Sequence, residues 1–574
     1  MSNQHNPVII GAGHSGLVAA FYLAKAGLRP LVLERRPVVG GAAITDEFHP
    51  GFKCSTLAHT GGPIAPSIIR DMQLERHGLE MITPQVRVFA PSPDGPRALM
   101  LYDDVARSAE SIAKFSKKDA EKYSEFQQTL ARIAVVLSRM MAETPPSVDQ
   151  LTISDLWRLV RTGKAFRGLG QKDMYRLLRW GPMAVADLVA EWFESELLRA
   201  TIAARGVFGA FLGPWSAGSS AVLLMRAAAD PHPAGSASWP KGGMGSLTQA
   251  MATAAVAAGA QIRTNASVSR ITVKDGRATG VALASGEEIP ASMVISGADP
   301  KRTFLKLIDP VHLAPDFLGR MQNYRSLGTV AKVNFALDAL PAFVAAGPGP
   351  APPVAAGFSP AGAAPSLPSG QALKGAAARP GAALKGAATT AATMLAGRIH
   401  IGPEIAYLER AFDDAKYGRF SQQPVLDIII PSLTDPSLAP PGKHAMSISA
   451  QFAPYQLKSG DWNSRREALG DAVVRTLAAY APDLPGLIMH RHVITPLDLE
   501  ETYGFTGGHI FHGELSLDQL FSMRPLLGWG QYRTPITGLY LCGSGTHPGN
   551  GLTGLSGANA ARTVLKDWKK STHK

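Results

Sequence analysis

Apolar and polar positions over residues 7–36 predict a strand, a helix and a second strand in close succession. Val8–Ile10 is a short apolar run of the kind that forms a buried strand. Apolar residues then recur with helical spacing as far as Gly27, and Leu31–Leu33 is a second apolar run. This order of elements is typical of the start of an α/β fold.

The pattern changes several times farther along the chain. Residues 103–230 carry apolar positions at helical spacing, which predicts a helical cap. Residues 239–300 predict a glycine-rich turn, an alanine-rich helix, extended segments and a hairpin. Alanine, proline and glycine dominate residues 344–397, which predicts a disordered or loosely packed insertion. The sheet pattern resumes after this insertion, so we place no domain boundary in it.

Composition limits the class of protein. The chain has 574 residues, 45% of them hydrophobic, which is enough for two interleaved domains. No apolar run reaches about twenty residues and no basic, apolar leader precedes Val8, so we expect neither a spanning helix nor export. Cys54 and Cys542 form no CxxC pair, which excludes dithiol redox chemistry, zinc ribbons and iron–sulfur clusters. We predict a reduced, cytoplasmic location, or the mitochondrial matrix if the protein is eukaryotic.

A net charge of +12 favours an anionic partner such as a membrane surface, or simply reflects solubility. No nucleic-acid module accompanies the charge, so we expect no nucleic-acid partner. Residues 157–180 combine seven Lys or Arg residues with Trp157, Phe166, Tyr175 and Trp180. Such a segment lies on anionic lipid at the inner face of a membrane, or forms a solvated helix face with its aromatic residues packed inward. We favour the second interpretation; an oligomer is also left open.

The turn after the first strand has the pattern of a dinucleotide-binding loop. Gly11, Gly13 and Gly16 form G-x-G-x-x-G between the predicted strand and helix. The first glycine permits the tight turn, the second lets backbone approach a pyrophosphate, and the third lets helix and strand pack closely. The helix N-terminus favours the phosphate charge. Glu34, 18 positions after Gly16, can accept hydrogen bonds from ribose hydroxyls.

Arg35 and Arg36 leave an NADP 2′-phosphate site conceivable, but a ribose-binding Glu34 argues against it. The doublet Gly40–Gly41 looks like the extended signature of FAD-binding enzymes. The candidate cofactor residues in this part of the chain are Gly11, Gly13, His14, Ser15, Gly16, Glu34, Arg35, Gly40, Gly41 and Ala42.

Three segments carry a resemblance to a known superfamily. GAGHSGLVAAFYLAKAGLRPLVLERRPVVGGAAITDEFHPGFKCS, SWPKGGMGSLTQAM and GLYLCGSGTHPGNGLTG resemble the FAD-binding segments of the phytoene desaturase superfamily, which includes carotenoid desaturases and isomerases and, more distantly, amine oxidases. The stretch from GGHIFHGELSLDQL onward resembles one branch, the pyridine nucleotide-disulfide oxidoreductase domain-containing protein 2 group. The resemblance implies that FAD is bound without a covalent link.

The resemblance also implies roles for residues near the C-terminus. A glycine turn beginning at Gly543 and Ser544 would contact the pyrophosphate and ribityl chain, although the superfamily often has Asp in place of Ser544. The residues Gly551, Leu552 and Thr553 would start the final helix, whose positive end suits a reduced flavin. Val268 would contact the adenine through its backbone.

The fold class implied is α/β, with a Rossmann-like FAD-binding domain of the amine-oxidase type interleaved with a mixed-sheet substrate domain and a helical cap. We assign residues 1–102, 236–300 and 531–574 to FAD binding and residues 103–235 to the cap. Residues 301–343 and 398–530 form the substrate domain, which the insertion at 344–397 interrupts.

Catalytic side chains are not evident, because FAD supplies the redox chemistry and the protein orients the substrate. The weak candidates are His509, His512, Glu514 and His547. Histidines three positions apart beside an acid could suggest a metal site, but no fourth ligand is apparent and we predict none. We expect Cys54 and Cys542 to be small core thiols rather than a nucleophile and a flavin anchor.

Two classes of function remain. The first is an FAD-dependent oxidoreductase that desaturates, saturates or isomerises a small apolar, isoprenoid- or carotenoid-like substrate by hydride transfer at flavin N5. Amine oxidation is the alternative within this class and would need an aromatic cage beside the flavin. The second class is an FAD-stabilised regulatory or interaction protein with little turnover.

Overall fold

The computed structural model describes residues 7–58, 63–147, 152–347 and 391–572. Its strands are β1 (Val8–Ile10), β2 (Leu31–Leu33), β3 (Thr45–His49), β4 (Phe52–Ser55), β5 (Met81–Ile82), β6 (Val86–Pro91), β7 (Ala98–Tyr102), β8 (Trp239–Pro240), β9 (Gln261–Arg263), β10 (Val268–Lys274), β11 (Arg277–Leu283), β12 (Glu288–Pro290), β13 (Val294–Ser296), β14 (Val330–Leu337), β15 (Arg398–Ile401), β16 (Val425–Ile429), β17 (His444–Gln451), β18 (Ile488–Ile494) and β19 (Leu539–Leu541).

The helices are α1 (His14–Lys25), α2 (Pro66–Asp71), α3 (Val105–Ala113), α4 (Lys117–Met141), α5 (Ile153–Gly168), α6 (Gly170–Trp180), α7 (Val185–Ala190), α8 (Glu196–Val207), α9 (Ser219–Ala229), α10 (Met244–Ala257), α11 (Pro300–Lys306), α12 (Pro315–Gln322), α13 (Ile405–Lys416), α14 (Trp462–Ala478), α15 (Leu484–Leu487), α16 (Pro496–Tyr503) and α17 (Leu555–Thr572). Residues 391–395 are also helical. None of the described helices is both long and apolar enough to cross a membrane.

A five-stranded parallel sheet joins segments from both ends and the middle of the chain. Its order is β19-β13-β1-β2-β9, with Val8 paired to Val294 and Val294 paired to Leu539. Alternate residues of each short strand face opposite sides, as the pleat requires. Helices α1, α10 and α17 cover one face, where Ile9 and Ile295 are buried. This sheet confirms the α/β fold class that the sequence predicts.

A seven-stranded mixed sheet forms the second layer, in the order β18-β14-β17-β16-β15-β6-β7. Strands β6 and β7 lie within residues 1–102, the segment that the sequence analysis assigned to FAD binding, so that assignment is wrong for them. Their mostly apolar residues indicate buried strands but do not specify which sheet these strands join. One face of the sheet is apolar and buries side chains such as Val333, Phe335 and Ile448.

The helical cap predicted between residues 103 and 235 is present as helices α3 to α9. Helix α4 begins after Ser116, whose hydroxyl accepts a hydrogen bond from Asp119 N at 3.1 Å. Tyr123, Phe126 and Leu130 recur at helical spacing on its buried face. They share one core with helices α7, α8, α9 and α13, and this core lies over the seven-stranded sheet.

Only the flanks of the predicted insertion at 344–397 are described, since residues 348–390 lie outside the described residues. On one side Ala345 and Ala346, in a 3-10 turn, are only partly buried against the core of the seven-stranded sheet. On the other side Leu395 is buried in the same core. The expectation of loose packing is therefore wrong for the second flank, because the sheet core covers the side chain of Leu395.

Candidate functional site

One long cavity runs from the carboxyl edge of the parallel sheet to the second face of the seven-stranded sheet. Its first part is lined by the turns that follow β1, β2, β13 and β19. Because the carboxyl ends of parallel strands meet at one edge, four distant turns converge there. Its second part, which we call the inner chamber, lies between the seven-stranded sheet and helices α8 and α9 of the cap.

The turn after β1 leaves space for a ligand. A side chain at Gly11 or Gly13 would have no protein atom within 4 Å, and both residues line the cavity. At Gly16, by contrast, a Cβ would lie 2.2 Å from the carbonyl oxygen of Gly11. The first two glycines therefore keep the cavity open, while the third permits close packing of α1 against β1. This division of roles is what a pyrophosphate cradle needs.

The carboxylate of Glu34 is buried at the end of β2 and faces the same turn. Its Oε2 accepts a hydrogen bond from Ala12 N at 2.8 Å, and its Oε1 accepts one from Arg36 N at 3.0 Å. The neighbouring loop docks on the turn, since Gly40 N donates to Ala12 O at 2.9 Å. The Gly40–Gly41 doublet is required here because Gly40 has φ +120° and Gly41 has φ +58°.

The C-terminal segment forms the opposite wall. Gly543, Ser544, Gly551 and Leu552 line the cavity. Thr553 does not line it, and its hydroxyl accepts a hydrogen bond from Leu555 N at 3.3 Å. The final helix begins at Leu555 rather than at Gly551, so the predicted helix start is wrong. The residues from Gly551 to Gly554 form an irregular turn in which Gly551 has φ +107° and Gly554 has φ +72°.

The C-terminal wall is held in place by Arg524, which is fully buried. Its Nη2 donates to the carbonyl oxygens of Phe511 at 2.7 Å and Ser544 at 2.9 Å. Its Nη1 donates to the carbonyl oxygen of Glu514 at 2.9 Å. One guanidinium thus satisfies carbonyl groups from two separate segments of the wall, which a lysine ammonium could not do in the same planar arrangement.

Comparison with known proteins identifies the family. Residues 14–342 match the family described as flavin containing amine oxidoreductase. The pyridine nucleotide-disulfide oxidoreductase domain-containing protein 2 of Rattus norvegicus is 36% identical over 585 residues, which cover 99% of this chain and 94% of the rat protein. The chain belongs to the flavin-containing amine oxidoreductase family. FAD is therefore its cofactor, as the sequence predicts, and the protein is an FAD-dependent oxidoreductase.

More distant relatives extend over the same length. A limonene dehydrogenase component of Castellaniella defragrans is 27% identical over 98% of this chain and 95% of that protein. The lycopene-forming phytoene desaturase of Pseudescherichia vulneris is 23% identical over 97% of this chain and 98% of that protein. The structure of putrescine oxidase bound to putrescine has a TM-score of 0.54 at 15% identity and covers 99% of each chain, which supports the fold.

The first part of the cavity is lined by nearly all of the residues that the sequence predicts for FAD. The predicted cofactor residues that line it are Gly11, Gly13, His14, Ser15, Gly16, Glu34, Arg35, Gly40, Gly41, Ala42, Val268, Gly543, Ser544, Gly551 and Leu552. Their roles toward FAD remain predictions, but the structure brings them together. Gly297 and Asp299 follow β13 and line the same edge, although neither was predicted as a cofactor residue. The run VISGAD, a short apolar strand followed by glycine, was the available signal.

Only one of the four candidate catalytic residues reaches the cavity. His512 lines it, and burial lowers the pKa of His512 to about 3, so its ring is neutral. Glu514 accepts a hydrogen bond from Arg325 Nε at 2.7 Å, and His547 Nε2 donates to Met140 O at 3.1 Å. His509 Nδ1 accepts one from Phe511 N at 3.2 Å. His509, Glu514 and His547 do not line the cavity and instead pack within the C-terminal wall, so a substrate-facing role for them stays a prediction.

Both cysteines are buried and free. Burial raises the pKa of the Cys54 and Cys542 thiols to about 12, so neither is a thiolate near neutral pH. Cys542 lies in the core beneath the parallel sheet and does not line the cavity. Among the described residues, no group of three or more His, Cys, Asp or Glu side chains is arranged to hold a metal ion.

The inner chamber carries charges that the sequence analysis missed. Its charged lining residues are Arg205, Asp230, Arg226, Lys332, Arg398 and Asp427. Several come from alternate positions on the second face of the seven-stranded sheet, such as Lys332 on β14 and Arg398 on β15. An alternating polar and apolar strand normally exposes its polar face to water. Here the cap covers that face, so the charged side chains are enclosed in the chamber.

Lys332 is the buried amine of this chamber. Its Nζ lies 2.8 Å from Ser447 Oγ. Burial lowers the pKa of the Lys332 ammonium from 10.5 to about 7, although the charge of Asp427 opposes this shift. Apolar side chains complete the wall, with Phe511 positioned between the chamber and the C-terminal turn, where a Cβ at Gly551 would lie 3.4 Å from its ring.

Gly13→Val tests the cradle. The backbone at Gly13 has φ −68°, which valine adopts freely, and a Cβ there would have no protein atom within 4 Å. The variant should fold normally but lose at least about tenfold in FAD affinity, because the valine occupies the pyrophosphate space. The flavin-to-protein ratio after gel filtration measures this. Gly319→Val, also in open space, is the control; a fully flavinated Gly13→Val protein would contradict the assignment.

Proposed function

We propose that the protein desaturates, saturates or isomerises a substrate whose reacting part is an apolar, isoprenoid-like carbon chain. The observation that carries this proposal is the apolar surface where the inner chamber meets the C-terminal turn. Val207 and Phe208 at the end of α8 and Phe511 beside Gly551 form it. Such a surface excludes water and orients a hydrocarbon against the cofactor. The names of two relatives, limonene dehydrogenase and phytoene desaturase, support this substrate class.

FAD, when bound, supplies a ring that accepts a hydride from carbon. Desaturation also releases a proton from the adjacent carbon, and the chain must provide a group that takes it. Lys332 Nζ lines the inner chamber and is held by Ser447. With its pKa near 7, a substantial fraction of the amine is neutral under ordinary conditions. We assign Lys332 the role of proton acceptor.

Amine oxidation is the second candidate function. The family is named for it, and putrescine oxidase shares the fold. Asp427 lines the inner chamber, and its Oδ1 is buried without a hydrogen-bond partner. A substrate ammonium could donate to this oxygen. Against this, Arg226 already occupies the space between the rings of Phe208 and Phe511, where an aromatic cage would bind a cation.

Anaerobic reduction of the bound flavin separates these functions. We expect apolar polyenes and their saturated counterparts to bleach or perturb the visible flavin band, and simple amines not to do so. Bleaching by amines alone would establish the second candidate. If the protein retains FAD but no donor of either class reduces it, the function proposed here is wrong and the interaction-protein alternative is favoured.

The pH dependence of turnover tests Lys332. Since only the neutral amine accepts a proton, kcat/KM should rise as pH increases through about 7 and then level off. The neighbouring charge is that of Asp427, and the Cys54 thiol stays neutral in this range. Lys332→Met should lower kcat by roughly 10²- to 10⁴-fold and remove this limb. An unchanged limb in the variant would exclude Lys332 as the proton acceptor.

We also propose that helices α5 and α6 contact an anionic lipid surface. The sequence analysis favoured inward packing of the aromatic residues, but Trp157 is 66% exposed and Tyr175 is 59% exposed. Ile153, Leu156 and Val160 extend the exposed stripe along α5 at helical spacing. Lys164 and Arg167 are exposed on the same helix. An apolar stripe beside cationic side chains matches an interfacial helix at the inner face of a membrane.

Vesicle co-sedimentation tests this surface. Wild type should bind vesicles that contain phosphatidylglycerol and not pure phosphatidylcholine, with binding reduced by high salt. Trp157→Ser should weaken binding several-fold, because it removes the largest exposed apolar side chain of the stripe. Trp215→Ser, which alters an exposed tryptophan elsewhere, is the control. If the wild type does not bind vesicles but forms a dimer, and Trp157→Ser abolishes that dimer, a second copy of the chain covers this face instead.

A further inference from the structure

The side chain of Arg226 is held inside the inner chamber with part of its hydrogen-bonding capacity unused. Its guanidinium carbon lies 5.3 Å from the ring centre of Phe208 and 5.2 Å from that of Phe511. Its Nη2 donates to the carbonyl oxygen of Phe208 at 2.7 Å. Its Nε is buried and has no hydrogen-bond partner. Among the described residues, no carboxylate forms an ion pair with it at 4 Å or less.

A second arginine faces the same space. Arg398 Nη2 donates to Ala234 O at 2.7 Å, and Nη1 lies 3.5 Å from Asp427 Oδ2. The Nε of Arg398 is also buried and without a partner. The charge of Arg398 lowers the pKa of Arg226, while Asp427 raises it, so these three groups are electrostatic neighbours. Ser449 adds a buried hydroxyl without a partner.

The charges of the chamber do not cancel. Arg205, Arg226 and Arg398 outnumber Asp230 and Asp427 by one, even when Lys332 is neutral. A buried guanidinium without a counter-charge is costly, and burial lowers the pKa of Arg226 to about 10. The stacking between two rings holds the group in place but does not satisfy its Nε–H. A ligand with one negative charge and acceptor oxygens would supply the missing counter-charge and accept a hydrogen bond from this Nε–H.

We propose that the inner chamber binds a carboxylate carried by the substrate, through Arg226 and Arg398. The inference rests on the proposed function, since it adds an anionic end to the apolar chain considered there. A planar carboxylate offers two oxygens to the unused N–H groups, and charge-assisted hydrogen bonds of this kind are strong. Its negative charge offsets the excess positive charge of the chamber. A phosphate monoester, with a charge near −2, would leave an excess negative charge when Lys332 is neutral.

Binding to the FAD-loaded protein tests the proposal without turnover. The probes are octanoate, octanol, octylamine and octyl phosphate. The binding of each probe is measured by the change that it causes in the visible flavin spectrum. Octanoate should bind on the order of 10- to 100-fold more tightly than octanol. Arg226→Met and Arg398→Met should each remove most of this preference and leave octanol binding nearly unchanged. Arg320→Met, at an exposed arginine outside the cavity, is the matched control.

The outcomes separate the inference from the proposed function. Equal affinity for octanoate and octanol, or tighter binding of octyl phosphate or octylamine, would overturn the carboxylate site. If Arg226→Met fails to fold because the stacking is lost, Arg398→Met and the wild-type preference still decide the question. A protein that prefers octanoate but is not reduced by any donor supports the carboxylate site and refutes the proposed function. Reduction by neutral polyenes with no preference for octanoate refutes only the carboxylate site.

Discussion

The fold depends on parallel pairing among three short strands that are distant in sequence. Strand β1 pairs with β13, and β13 pairs with β19, with only three residues in each strand. Parallel strands must be joined by long crossover connections, so the chain can place whole domains between them. The helical cap and the seven-stranded sheet lie in those connections. The same pairing brings the turns after β1, β13 and β19 to one edge, which is where a dinucleotide binds.

Arg524 provides the complementary constraint on the C-terminal wall. Irregular backbone in a buried site has carbonyl groups that no regular sheet or helix satisfies. The guanidinium of Arg524 donates hydrogen bonds to such carbonyl groups at Phe511 and Ser544 at once. A Cβ at Gly549 would lie 2.1 Å from Arg524 Nε, so glycine is required there. The glycine-rich C-terminus therefore gives the chain access both to the cofactor space and to this buried arginine.

The first part of the cavity was predictable because its signals are local. Gly11, Gly13 and Glu34 fall within one strand–helix–strand unit, and each has a separate physical reason. The inner chamber was not predictable in the same way. Lys332 and Arg398 lie on strands in which polar and apolar residues alternate, and the polar face of such a strand is normally exposed to water. Arg226 lies on a helix whose sequence resembles that of any amphipathic helix of the cap. Their burial depends on how the cap packs over the sheet, which no local pattern encodes. The start of the final helix was predicted wrongly for a related reason. Several glycines precede this helix, and a glycine-rich segment does not indicate which residue is the first helical one.

The position of Phe511 limits where chemistry occurs relative to a bound carboxylate. One side of its ring faces the guanidinium of Arg226, and an edge lies against the turn at Gly551. A carboxylate at Arg226 is therefore separated from the C-terminal turn by about the width of one aromatic side chain. The reacting carbons of such a substrate would lie a few bonds from the carboxylate, with the remaining chain along Phe208 and Val207. Asp427 neighbours both Arg398 and Lys332. A carboxylate bound to Arg398 would draw that arginine away from Asp427, and Asp427 would then favour the charged form of Lys332 more strongly. Occupation of the proposed anion site would in that way be coupled to the protonation of the proposed proton acceptor.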